Sequence, residues 1–291
     1  MPQSHPGYYL PEPSPWPLIG TVGLFLLLIG FALALNGVNT GPLAMGVGFA
    51  IVVVMLCGWF GTVIRESEGG RYNPQVDRSF RWGMGWFIFS EVMFFACFFG
   101  TLWYVRDYSV PWLGGEGAKV LTGKLLWPSF QATWPLLKLP DPKGFTEAKE
   151  PMGAWGIPAI NTLLLLSSGA TVTWAHWGLK RNDRKQLIKG LILTIALGAL
   201  FLALQGIEYG HAYSELNLKL SSGIYGATFF MLTGFHGAHV TIGLIMLTVI
   251  LLRSLRGHFT PDRHFAFEGV AWYWHFVDVV WLGLFIFVYW L

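Results

Sequence analysis

Long apolar stretches alternate with short polar segments along the whole chain. Seven such stretches can be counted, and each is long enough to cross a hydrocarbon layer of ~30 Å as an α-helix. They cover about 16–36, 42–64, 82–105, 153–179, 188–209, 222–252 and 267–291. The pattern predicts an all-α polytopic membrane protein with seven transmembrane helices.

The last stretch, 265–291, is almost wholly apolar and still contains Glu268, His275 and Asp278. On a helix with 3.6 residues per turn these three side chains fall on one stripe. Ionisable groups inside a membrane helix are costly, so they normally face neighbouring helices rather than lipid. We therefore expect the other helices to pack against this one.

Composition supports a membrane location. Hydrophobic residues make up 54% of the 291 residues and charged residues 12%, which is about half the charged share of a typical soluble domain. The net charge of +3 is small, and the basic residues lie in short loops, which argues against a nucleic-acid surface. Cys57 and Cys97 lie inside apolar stretches and match neither a disulfide framework nor a metal-binding spacing.

Lysine and arginine set the expected orientation. They cluster in the second, fourth and sixth loops, whereas the first loop has none and the fifth has only Lys219. Because short basic loops stay on the cytoplasmic side, we expect the N-terminus inside and the C-terminus outside. The long third loop, 106–152, is then an outer loop, and its prolines and tryptophans indicate an ordered cap.

The stretches also differ in polarity. The first two carry no charge, whereas the third, fifth, sixth and seventh carry the buried carboxylates and most of the histidines. This asymmetry predicts an apolar helix pair and a polar-cored group of five helices within one membrane domain. Its expected parts are a lead-in at 1–15, helices 1–2 at 16–64, an inner loop at 65–81, and helices 3–7 at 82–291.

Glu91 is the first candidate functional residue. It lies nine residues beyond Trp82, roughly 14 Å along a helix and hence near the middle of the membrane. No cation shares its stretch, so burial favours the neutral acid unless a histidine from another helix pairs with it. The carboxyl group is either a proton-linked or lipid-facing site or a structural hydrogen-bonding group.

Histidines and acids recur at a spacing of three residues. The pairs are His236 with His239, Glu208 with His211, and His275 with Asp278. Paired Glu-x-x-His helices with further carboxylates build di-iron sites in bundles. We favour the other interpretation, neutral imidazoles that hydrogen-bond between helices, because His211 and Glu268 are expected near opposite membrane faces. We therefore expect no metal site and no catalytic residue in this chain.

Several segments together resemble subunit III of cytochrome c oxidase, the haem–copper terminal oxidase. The segments that carry the resemblance are Pro13–Pro17, Val63–Ser67, Arg81–Met84, Phe89–Val92, Gly234–Val240 and Phe267–Trp281. The likeness runs along the whole chain and is weakest in the loop 106–152.

The resemblance implies helices 1–2 splayed from helices 3–7, with phospholipids in the cleft and no haem or copper in this subunit. It implies that Glu91 is the family's buried, carbodiimide-reactive glutamate. It assigns phospholipid headgroup binding to Arg65, Glu66, Arg253 and His258, and places in the buried polar core His236, His239, Glu268, His275 and Asp278. A proton-collecting role for His5 is not expected, because the N-terminal arm is poorer in histidine than in other members.

We therefore expect the non-redox third subunit of an aa3-type cytochrome c oxidase. The implied partners are subunits I and II, which hold haem a and copper, phospholipids, and cytochrome c indirectly through subunit II. The alternatives are subunit III of a quinol oxidase, since subunit II chooses the electron donor, and an autonomous transporter or a metal enzyme. We expect a bacterial cytoplasmic membrane in preference to the mitochondrial inner membrane.

Overall fold

A computed structural model describes residue 9 and residues 11–141 and 144–290. His5 therefore lies outside the described residues. Within them the chain is helical, and the only β pairing is an isolated bridge between Thr260 and Arg263. The eight α-helices are α1 (Trp16–Leu35), α2 (Gly41–Glu68), α3 (Pro74–Tyr104), α4 (Val110–Leu113), α5 (Ile157–Lys180), α6 (Arg184–Ser214), α7 (Gly223–Leu255) and α8 (Phe265–Leu284).

Seven of the described helical segments are long and apolar enough to cross a membrane. Each of the other seven α-helices belongs to its own segment, and the short α4 lies within the third, Pro74–Lys119. The predicted number of spans is therefore confirmed. The helices also extend beyond the apolar stretches. The third begins at Pro74 rather than 82, because Asn73 Oδ1 accepts hydrogen bonds from the backbone N–H groups of Gln75 and Val76, both at 3.0 Å. Hydrophobicity predicts the membrane-spanning part of α3, whereas the polar cap at Asn73 determines where the helix starts.

The third loop also begins later than the sequence predicted. A π-helical turn, Val105–Ser109, continues α3 directly into α4. Tyr108 contacts both Tyr104 and Trp112, each with ring centroids 5.7 Å apart. These contacts at a spacing of four residues keep the chain helical beyond the apolar stretch.

The rest of the third loop is hydrogen-bonded to the connection between α6 and α7 and to α7 itself. The backbone N–H of Lys149 donates to Leu216 O at 2.9 Å, and Asn217 donates to Glu147 O at 2.9 Å. The hydroxyl of Tyr225 accepts from the backbone N–H of Met152 at 3.1 Å. The loop is therefore ordered by hydrogen bonds to its neighbour.

The chain divides into two compact units, residues 1–81 and 82–291. In the first unit α1 and α2 pack closely through glycines. A Cβ atom built on Gly48 would lie 2.3 Å from the backbone nitrogen of Leu27, and one on Gly30 would lie 2.3 Å from that of Met45. Glycine at these points lets the two backbones approach, as is common between helices in lipid.

The second unit is built around α8. Half of the most apolar window of this helix is buried, a larger share than in any other candidate span of the described chain. Two of its tryptophans are almost fully buried and still use their N–H groups. Trp274 donates to Ser168 Oγ and Trp281 to Thr162 Oγ1, both at 2.9 Å and both on α5. Within the second unit, α8 also contacts α3 through Phe87 and Phe95, α6 through Phe201 and α7 through His236. The last apolar stretch therefore packs against the other long helices of this unit.

Candidate functional site: acid and histidine contacts between the helices

Glu91 on α3 contacts His239 on α7. The distance from Glu91 Oε2 to His239 Nε2 is 2.9 Å, and the two side chains are 22% and 13% exposed. The histidine that the sequence analysis left open is therefore present, and it comes from another helix. Of the two histidines in the His-x-x-His pair, it is the second that reaches the acid.

The other nitrogen of His239 fixes the proton count of this pair. His239 Nδ1 lies 2.6 Å from the carbonyl oxygen of Phe235, which can only accept, so Nδ1 carries a hydrogen. Nε2 and Glu91 Oε2 then share a single proton. With the proton on either atom the pair has no net charge, which lowers the cost of burying it.

Aromatic rings surround the imidazole of His239. Phe95 meets it edge-on with centroids 5.0 Å apart, and Tyr273 lies nearly parallel to it at 6.4 Å. The hydroxyl of Tyr273 donates to the backbone oxygen of His239 at 3.3 Å. These contacts orient the ring towards Glu91 and keep its surroundings apolar.

His236 has a different role although it lies one turn away. It is 1% exposed, and its Nε2 lies 3.2 Å from the carbonyl oxygen of Val277 on α8. Because a carbonyl can only accept, Nε2 carries the hydrogen of a neutral ring. Trp281 and Phe201 pack against this ring at 5.2 and 5.7 Å. His236 therefore ties α7 to α8.

The three polar side chains of α8 all contact α5. His275 Nε2 lies 3.1 Å from Thr173 Oγ1, and His275 Nδ1 lies 3.5 Å from Asp278 Oδ2. Asp278 fits against Gly169, where an added Cβ would lie 2.3 Å from Oδ2. Glu268 Oε1 approaches His176 on α5. The polar face of α8 that the sequence predicted therefore contacts α5.

Glu268 lies between two histidines that the sequence analysis did not select. His176 Nε2 is 3.5 Å and His264 Nε2 is 3.2 Å from Glu268 Oε1. His264 precedes Glu268 by four residues, a spacing that sequence alone could have identified. His176 is on another helix, so only the fold could reveal its contact.

Glu208 and His211 do not form one site despite their spacing. Glu208 is 1% exposed, whereas His211 is near the end of α6 and pairs with Glu215 at 3.1 Å. The structure therefore distributes the acids and histidines among separate contacts, and the di-iron arrangement is not assembled among the described residues.

The residues assigned to lipid headgroups lie at helix ends. Arg65 donates to Thr62 Oγ1 at 3.2 Å, and Glu66 accepts from the hydroxyl of Tyr72 at 2.8 Å. Burial raises the pKa of Tyr72, and the hydrogen bond to Glu66 raises it further. The hydroxyl thus remains a donor over the whole neutral range and holds the Glu66 carboxylate in place.

Arg253 lies at the end of α7. It is 8% exposed, and its guanidinium lies 4.6 Å from the centre of the Phe259 ring. The backbone N–H of His258 donates to the carbonyl oxygen of Arg253 at 3.1 Å. Arg253 and His258 are therefore held close together by the turn that ends the helix.

The sequence matches the family model described as Cytochrome c oxidase subunit III over residues 5–115 and 127–291. The chain belongs to the cytochrome c oxidase subunit III family. It is 40% identical over 289 residues to Cytochrome c oxidase subunit 3 of Cyprinus carpio, covering 99% of this chain and 98% of that protein. The proteins of the same name from Gadus morhua and Pan troglodytes are 41% and 40% identical with the same coverage.

Membership of the subunit III family makes the chain a component of a respiratory oxidase in a membrane. Subunit III has no redox centres. The buried acids and histidines of this chain therefore need an explanation other than electron transfer. The geometry of Glu91 and His239 supports two such explanations, hydrogen bonding between helices and proton sharing.

Replacing His239 by phenylalanine tests the shared proton. Without the imidazole, no base on α7 shares the proton of Glu91, and apolar surroundings disfavour the charged form of a carboxyl group. Carbodiimide reacts with protonated carboxyl groups, so we expect labelling of Glu91 at neutral pH to increase several-fold, measured by peptide mass spectrometry. The exposed Glu116 is the internal control and should not change. Lower or equal labelling of Glu91 in the variant would show that His239 does not share its proton.

Proposed function

We propose that this chain acts as the non-redox third subunit of an aa3-type cytochrome c oxidase. In that role it binds structural phospholipids, supports proton uptake and protects the catalytic subunit while oxygen is reduced and protons are pumped. The observation that carries the proposal is the family match along nearly the whole of a seven-span chain. Haem a and copper belong to the partner subunits I and II in this proposal.

The hydrogen bonds of the histidines support a role without redox chemistry. Both nitrogens of His239 are engaged, one by a carbonyl and one by Glu91. Nε2 of His236 is directed at the Val277 carbonyl, and the ring is packed between aromatic side chains. Imidazoles committed in this way are poorly placed to become axial ligands of a haem.

The Glu91–His239 pair supports a link to protons. A shared proton can sit on the carboxyl or on the imidazole without changing the net charge of the pair. A change of potential or hydration in a neighbouring subunit can then shift the proton over one hydrogen bond. We place the contribution of the chain to proton uptake at this pair.

Arg253 supports the binding of anionic phospholipid. A guanidinium forms paired hydrogen bonds with phosphate oxygens. Arg253 lies at the end of a membrane helix, where we expect the phospholipid headgroups. The centre of the Phe259 ring lies 4.6 Å from this guanidinium and restricts its position. Arg65 lies in the last turn of α2, in the first unit, and is proposed to bind a headgroup there.

The proposed electron donor is cytochrome c, which reaches the complex through subunit II. The vertebrate sources of the relatives favour a mitochondrial inner membrane over the bacterial cytoplasmic membrane that we expected from the sequence.

Purification of a tagged chain from its native membrane tests the proposed role. We expect a haem-bearing partner to accompany the chain in equal amounts, and the complex to consume oxygen with reduced cytochrome c. Absorption spectra of the haem and oxygen-electrode rates are the measurements. Oxygen consumption with quinol alone would indicate the quinol oxidase. A stable, active preparation that lacks any haem partner would contradict the proposal.

Replacing Arg253 by glutamine tests phospholipid binding. Loss of the charge should remove anionic phospholipid from the purified complex, because charge-assisted contacts to phosphate are lost. We expect about one fewer phospholipid per complex by quantitative mass spectrometry and faster inactivation during turnover. Arg256→Gln is the matched control, since Arg256 lies one turn away on the same helix end and is exposed. Equal lipid content in both variants would rule out headgroup binding at Arg253.

A further inference from the structure

His176, His264 and Glu268 bring three potential metal ligands together in the second unit. One ligand atom from each lies within 4.8 Å of the other two, and within the described chain this is the only such group of three or more. His176 lies in the last turns of α5, His264 directly precedes α8, and Glu268 is in its first turn. The end of α5 and the start of α8 therefore meet at this cluster.

The hydrogen bonding of His264 directs a lone pair at the carboxylate. Its Nδ1 lies 3.1 Å from the carbonyl oxygen of Thr260, so Nδ1 carries the hydrogen and Nε2 of the neutral ring carries the lone pair. That lone pair lies 3.2 Å from Glu268 Oε1, which is also an acceptor when ionised. Two acceptors at this distance need a positive charge between them, either a proton or a metal ion.

The distances fit a tetrahedral ion. Zinc binds histidine nitrogen and carboxylate oxygen at about 2.0–2.2 Å, which separates two tetrahedral ligand atoms by about 3.3–3.6 Å. The observed separations from Glu268 Oε1 are 3.5 Å to His176 Nε2 and 3.2 Å to His264 Nε2. The ligand atoms of the two histidines lie within 4.8 Å of each other, so a small inward movement of the imidazoles would complete the enclosure of such an ion.

The low exposure of the three side chains and the lack of hydrogen bonds at both histidine Nε2 atoms within the described chain also favour the binding of an ion. The three side chains are 19%, 9% and 12% exposed, in the order His176, His264 and Glu268. Both Nε2 atoms are shielded from water and make no hydrogen bond of good geometry among the described residues. Phe267 packs against His176 with centroids 5.3 Å apart and holds the ring in place.

We propose that His176, His264 and Glu268 bind a divalent transition-metal ion, with zinc as the best match. Two imidazoles and one carboxylate are a common zinc ligand set that leaves a fourth position for water. Zinc has no redox chemistry, so the site agrees with a subunit that transfers no electrons. The ion would fasten the end of α5 to the start of α8. The site departs from the sequence expectation of no metal, because His176 joins it only through the fold.

The test measures zinc binding by the tagged chain together with whatever partners accompany it, so the result does not depend on the proposed oxidase role. Metal is first removed with a chelator, zinc is then titrated at neutral pH, and bound zinc is counted by mass spectrometry. We expect the wild type to bind about one ion more than His264→Ala, because that variant removes one of only three protein ligands. X-ray absorption of the extra ion should show two imidazole nitrogens.

His211→Ala is the matched control, since it removes a histidine that also pairs with a glutamate, at 3.1 Å, but without a third ligand. This variant should keep the full number of zinc ions. Binding should weaken as the pH falls, because protons compete for the imidazoles. Equal zinc stoichiometry and affinity in the wild type and His264→Ala would overturn the proposal.

A second measurement needs no variant and so does not depend on folding of the mutant. The ion would join the end of α5 to the start of α8, so zinc should slow backbone amide hydrogen exchange in the peptides that contain His176 and His264. Exchange in the peptide that contains His211 should not change, as measured by mass spectrometry. Equal exchange rates with and without zinc in all three peptides would also overturn the site.

Discussion

The high cost of an unpaired ionisable group in hydrocarbon constrains the whole second unit. Lipid offers no hydrogen bonds, so each buried polar side chain must find its partner on a neighbouring helix. The acids and histidines of α8 meet this requirement against α5, and His236 meets it by donating to the backbone of α8. These directional contacts add a fixed register to helices whose apolar surfaces would otherwise slide against one another.

The same constraint explains the form of the contact between Glu91 and His239. A lone carboxylate at this depth would be expensive, and so would a lone imidazolium. A pair that shares one proton has no net charge while it keeps the proton mobile over one hydrogen bond. The structural role and the proton-linked role therefore follow from one arrangement rather than competing with each other.

The fold was largely predictable from the sequence because membrane spans are defined by local hydrophobicity. The seven spans and the polar face of α8 both follow from periodicity. The start of α3 was missed because Asn73 caps a polar turn outside the apolar stretch. The match of Glu91 with His239 was also beyond prediction, since 148 residues separate them and His236 has the same chemistry one turn away. Such pairings depend on how helices pack, which no local pattern contains.

A double-mutant cycle at Glu91 and His239 tests most directly whether a hydrogen-bonded pair joins these helices. Glu91→Leu, His239→Leu and the double variant would be compared with the wild type by reversible unfolding of the purified protein in detergent. We expect a coupling free energy on the order of 1 kcal/mol, the range of hydrogen bonds between membrane helices. Strictly additive effects of the two substitutions would contradict the account.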